Sequence, residues 1–123
     1  MRLSPRIVII DDERSVRSGL SNLLQSEGYD SDAFDSAEAF LHNESALSDA
    51  SLLIIDIKLK GMSGLDLYRR VAQLCAPPPV IFISGHADEN LSRYAPEFGG
   101  VTLLRKPIKI ETLLEQIRRE LSV

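Results

Sequence analysis

Hydrophobic and polar positions alternate along this chain in blocks rather than singly. Ile7-Val8-Ile9-Ile10, Leu52-Leu53-Ile54-Ile55, Val80-Ile81-Phe82-Ile83 and Val101-Thr102-Leu103-Leu104 are short, nearly unbroken apolar runs, each followed by a polar residue. Such runs read as strands buried on both faces. Tyr29-Asp30-Ser31-Asp32-Ala33-Phe34 alternates instead, the pattern of an edge strand with one wet face. Helical spacing fills the intervals. Val16, Leu20, Leu23 and Leu24 share one helical face, with Gly28 placed to close that helix. Ser36 can cap a short helix carrying Ala37, Phe40 and Leu41. Leu65, Tyr68, Val71 and Ala72 mark a third helix, stopped by Pro77-Pro78-Pro79, and Leu113, Leu114, Ile117 and Leu121 mark the last. A fourth helix is expected over residues 88–98, weakened by Pro96. Strands alternating with helices predict a parallel sheet covered on both faces and joined by right-handed crossovers.

Composition sets the outer bounds. With 123 residues the chain is expected to be one domain, 1–123, large enough for a core without staples. A net charge of −4 argues against direct nucleic-acid binding and against an anionic membrane surface. The single cysteine, Cys75, leaves no internal disulfide and is expected to be inert and half-buried at a helix end. No signal peptide or apolar run of membrane-span length is seen, so a cytoplasmic location is expected. His42 lacks partners at metal-ligand spacing, and Arg118-Arg119 suits a solvated helix end.

The chemistry gathers at one kind of place. In parallel sheets covered by helices, the carboxyl ends of the strands form the ligand crevice. Asp11, Asp12, Asp56, Ser84 and Lys106 each follow an apolar run and should converge on that edge. Singly, each has an ordinary reading: Asp-Asp as a turn and helix cap, Asp56 as a loop acid paired with Lys58 or Lys60. Together, three carboxylates and one lysine leave a negative excess that a hard divalent cation, magnesium, would balance. A carboxylate can also attack phosphorus to form an aspartyl phosphate. Phosphoryl transfer needs chiefly positioning and charge neutralisation, which a cation and Lys106 would supply while Ser84 donates a hydrogen bond.

These residues, in this order and strand context, resemble the receiver domain of two-component response regulators over the entire chain. "DIKLKGMSGLDL" is similar to the family's loop after the phosphorylated aspartate, and "SGHAD" is similar to receivers of the nitrogen-regulation and nitrogen-fixation type. The resemblance implies a flavodoxin-like, doubly wound fold: five parallel strands in the order 2-1-3-4-5 with five helices. It implies that a histidine kinase phosphorylates Asp56. Asp12, Asp56 and the backbone carbonyl of Lys58 would ligate Mg2+, with Asp11 acting through a water. Ser84 would be the switch hydroxyl, Lys106 would bind the phosphoryl, and the Lys106–Pro107 bond would be cis. It further implies an output domain or protein partner downstream and a phosphorylation-dependent dimer. Lys58 and His86 flank the approach of water and are candidates for tuning phosphoryl lifetime.

The sequence departs from the family at three points. Lys60 stands where proline is usual, Leu103 replaces the switch aromatic, and Pro96 interrupts the fourth helix. The expected activity is slow self-phosphorylation and self-dephosphorylation only. The competing readings are a magnesium-dependent phosphohydrolase with an aspartyl nucleophile, an interaction module of the same fold indifferent to phosphorylation, and a flavodoxin-like nucleotide binder. The chain reads either as a stand-alone receiver or as the N-terminal part of a longer regulator.

Overall fold

In the computed structural model, residues 5–85, 96–98 and 100–122 are described. The strands are β1 (Arg6–Ile10), β2 (Asp30–Phe34), β3 (Leu52–Asp56), β4 (Val80–Ser84) and β5 (Thr102–Arg105). The helices are α1 (Arg14–Ser26), α2 (Ala37–Leu41), α3 (Glu44–Asp49), α4 (Gly64–Leu74) and α5 (Ile110–Leu121). All strand pairs are parallel, in the order β2-β1-β3-β4-β5. This is the doubly wound topology, and it places β1 and β3 side by side so that their carboxyl ends adjoin.

Successive strand residues point to opposite faces, and the apolar runs therefore supply two cores. Val8, Ile10, Leu53, Ile55, Val80 and Phe82 face one side, where α2, α3 and α4 cover them with Phe40, Leu67 and Val71. Ile7, Ile9, Leu52, Ile54, Ile81 and Ile83 face the other, under Leu20 and Leu24 of α1 and Leu113 and Ile117 of α5. Edge strand β2 has no fully buried residue, and its Asp32 pairs with Arg6 at 3.0 Å.

Local chemistry sets the boundaries. Gly28 follows α1 with φ of +86°, the left-handed turn that glycine adopts at little cost. The Ser36 and Ser63 hydroxyls accept from Ala39 N–H and Asp66 N–H, capping α2 and α4. The second helical region is two helices rather than one. Asn43 accepts from Ala46 N–H at 3.0 Å and starts α3, a short polar segment whose single buried residue, Ala46, makes no visible periodicity. Of the expected fourth helix, residues 88–95 lie outside the described residues, and Pro96–Phe98 form one 3₁₀ turn. Cys75 is exposed rather than half-buried, because α4 ends at Leu74.

Candidate functional site

Asp56 is the last residue of β3 and continues the alternation of Leu52 and Ile54, so the residue is only 3% exposed. One carboxylate oxygen, Oδ1, accepts from Lys58 N–H at 3.0 Å; Oδ2 accepts from Lys106 Nζ at 3.1 Å. Burial pushes its pKa above the usual carboxylate range, and the nearby Asp11 charge adds to that, against the lowering pull of Lys106 and the Lys58 N–H. The acid at the end of the apolar run is therefore a desolvated carboxylate with its charge only partly compensated. Its partner is Lys106, not the neighbouring lysine ammoniums: Lys58 contributes its backbone N–H.

Asp11 follows β1 and is fully buried. Its Oδ1 accepts from Glu13 N–H at 2.8 Å, and Arg17 donates to its backbone carbonyl at 2.9 Å, fixing the turn into α1. Asp11, Asp12 and Asp56 each bring a carboxylate oxygen within 4.8 Å of the others. Lys106 Nζ lies 2.7 Å from Glu13 Oε1 and 3.0 Å from Asp11 Oδ2, besides its bond to Asp56. Burial alone would lower the Lys106 pKa, but contacts with Glu13, Asp11 and Asp56 hold it well above the ordinary value, so the ammonium stays charged. Ser84, fully buried at the end of β4, lies on the opposite parity, in line with Val80 and Phe82. Its backbone carbonyl accepts from Lys106 N–H at 2.7 Å, tying β4 to the start of the next loop. The Lys106–Pro107 peptide is cis.

Glu13 is the residue that sequence reasoning did not single out. It was visible only as the third acid of the run Asp11-Asp12-Glu13, yet it makes the shortest contact to Lys106. With it, three carboxylates, those of Asp11, Glu13 and Asp56, contact one ammonium.

The donor set fits a hard cation. Asp11 Oδ2 is buried and, although Lys106 Nζ lies near it, no donor is aligned on it. A buried carboxylate oxygen left without a hydrogen bond is costly. A magnesium ion among Asp11, Asp12 and Asp56 would satisfy that oxygen and the negative excess together.

Leu103 pairs in register with Phe82 and packs, half-buried, on the same core face. Lys58 and Lys60 are exposed. His86 lies outside the described residues. His42 ends α2, and the Arg119 guanidinium pairs with Glu115 at 3.4 Å on the exposed side of α5.

Comparison with known proteins covers nearly the whole chain. The family profile described as "Response regulator receiver domain" matches residues 7–118. The chain is similar to the response regulator protein TmoT of Ectopseudomonas mendocina, 39% identical over 95% of this chain and 53% of that protein. It is also similar to the transcriptional regulatory protein FixJ of Bradyrhizobium diazoefficiens, 32% identical over 95% of this chain and 57% of that protein. Among solved structures it resembles the response regulator StyR, with a TM-score of 0.85, 33% identity, and coverage of 96% of this chain and 59% of that one. The chain spans about half the length of the curated relatives it matches.

Proposed function

We propose, for a chain that belongs to the response regulator receiver domain family, that Asp56 is the residue that accepts the phosphoryl group. Receiver domains bind magnesium at an acidic pocket, interact with histidine kinases and output domains, and are generally not true enzymes. No helix among the described residues is long and apolar enough to cross a membrane. The observation that carries the assignment is the place of Asp56: buried at the end of β3, held between the Lys58 N–H and Lys106 Nζ, beside two further acids.

In this reading an Asp56 carboxylate oxygen bonds to phosphorus as the phosphorus–nitrogen bond of a kinase phosphohistidine breaks, its electron pair leaving on the imidazole. Asp12, Asp56 and the Lys58 carbonyl would hold Mg2+, with Asp11 acting through a water, and the bound ion would supply positive charge against the phosphoryl oxygens. Lys106, already charged and within 3.1 Å of Asp56 Oδ2, turns from the carboxylates to the phosphoryl oxygens. Ser84 donates its hydroxyl to the phosphoryl and so reports its presence to the Phe82 side of the sheet. Catalysis is confined to the chain's own phosphoryl uptake and slow loss, with Lys58 and His86 adjusting the rate of loss. A histidine kinase, an output domain or protein partner, a phosphorylation-dependent dimer and a cytoplasmic location for this chain complete the reading.

The test is direct. With magnesium and a small acyl phosphate, the wild type should gain one phosphate mass mapping to Asp56, and Asp56→Asn should gain none there. Asp12→Ala should lose most of its magnesium affinity. A label mapping to Asp11 or Asp12 in the wild type would overturn the assignment.

A further inference from the structure

The loop between β3 and α4, residues 57–63, carries Lys58, whose N–H bonds Asp56 and whose carbonyl is a metal ligand in the reading above, so its shape decides where that oxygen lies. Its two ends are secured by the sheet and by α4. Ile57 N–H donates to Ile83 O at 3.0 Å, and Lys58 N–H donates to Asp56 Oδ1. Gly64 N–H returns to Ile57 O at 2.9 Å. The middle of the loop is reached from α2. Glu38 Oε2 accepts from Met62 N–H at 3.1 Å across 24 residues of sequence. The same carboxylate lies over Gly61, where a Cβ would meet Glu38 Oε2 at 2.9 Å, and Gly61 holds φ of +80°. One exposed side chain thus bears on two consecutive residues of the loop at its left-handed turn. Its own backbone N–H and that of Met62 hold the Glu38 carboxyl below the usual range, as accepting charge-assisted bonds requires.

From these contacts we propose that Glu38 is a positioning residue: its carboxylate clasps Gly61 and Met62 and thereby presets the Lys58 carbonyl for the metal. The inference rests on the magnesium reading of the acid cluster and adds a residue outside it. Residues that orient metal ligands from behind typically contribute about ten- to a hundredfold in affinity. Glu38 is exposed, so water replaces part of what it supplies, and the low end applies.

The experiment compares Glu38→Ala, which removes the acceptor, with Glu38→Gln, which keeps an oxygen able to accept. In metal-free protein, amide hydrogen exchange at Met62 should accelerate in Glu38→Ala and stay near wild type in Glu38→Gln. Magnesium titration by calorimetry should show about tenfold weaker binding for Glu38→Ala and less than about twofold for Glu38→Gln. Wild-type affinity in Glu38→Ala, or equal losses in both variants, would overturn the clasp. Asp12→Ala titrated alongside separates the two levels: if it also binds as wild type, the metal reading itself falls. If Asp12→Ala alone loses affinity, only the role of Glu38 falls.

Discussion

The two faces of the sheet are built from different materials. Under α1 and α5 the fully enclosed core is wholly aliphatic, from Ile7 and Ile9 through Leu24 to Ile117. Under α2, α3 and α4 it is aromatic towards β4 and β5: Tyr68, Phe82 and Phe98 meet edge to face, with ring centroids 5.3–6.0 Å apart. Tyr68 Oη also donates to Pro78 O at 2.6 Å, and the Arg69 guanidinium lies 5.4 Å from the Phe98 ring centre. The faces end differently as well. The aliphatic parity of β3 runs out into Asp56, and the aromatic parity of β4 runs out into Ser84. Long, simply patterned helices cover the face that ends in charge. Two short helices, the longer α4 and directional contacts cover the face that receives the hydroxyl. One side is an aliphatic platform, and the other is held by specific, directional contacts on the face where Ser84 lies.

Three measurements press on that contrast. The largest effect is at Phe82: Phe82→Ala should cost about 4 kcal/mol in denaturant unfolding, against about 3 for Leu24→Ala. Pairing Phe82→Ala with Tyr68→Ala should reveal coupling of about 1 kcal/mol beyond additivity. Zero coupling would reduce the aromatic face to bulk. Next comes Asp56→Asn in metal-free protein. Because the folded pKa is raised, the ionised carboxylate burdens the native state above that pKa, and protonation relieves the burden as pH falls through it. The variant should melt a few degrees higher at pH 7, on the order of 1 kcal/mol, with the gain fading as pH falls through the raised pKa and gone below about pH 4, where the unfolded carboxyl is protonated too. A gain that persisted in acid would deny that charge is its source. The smallest effect is at Arg69, which pairs with Asp66 at 2.9 Å and Glu97 at 2.8 Å on the surface. Arg69→Ala should cost about 0.5–1 kcal/mol, and Arg69→Lys should recover little of it because the planar cation on Phe98 is lost. Full recovery by lysine would make the contact a matter of charge alone.

The platform was the more legible face. Val16, Leu20 and Leu24 in one helix, and Leu113, Ile117 and Leu121 in the other, keep helical spacing over about two turns each, and a pattern repeated in two helices is hard to mistake. On the other face, α3 buries a single alanine and left no pattern to read. The acids and Lys106 were legible because polar residues directly after buried strands have few ordinary reasons to be there. Glu13 and Glu38 were not. Each acts through where the chain brings it, Glu13 to a lysine 93 residues away and Glu38 to a loop 24 residues away, and no local spacing encodes either meeting.

Gly64 opens α4 against the end of β3, where a Cβ would fall 2.2 Å from the Asp56 carbonyl oxygen and 2.8 Å from the Ile55 side chain. No conformational freedom is at issue there; the space is simply taken by the backbone of Asp56, the proposed phosphoryl acceptor. In a screen for loss of the phosphoryl uptake proposed above, every substitution at Gly64 would therefore score alongside Asp56 itself. It would carry the signature of an essential catalytic position while contributing no chemical group at all.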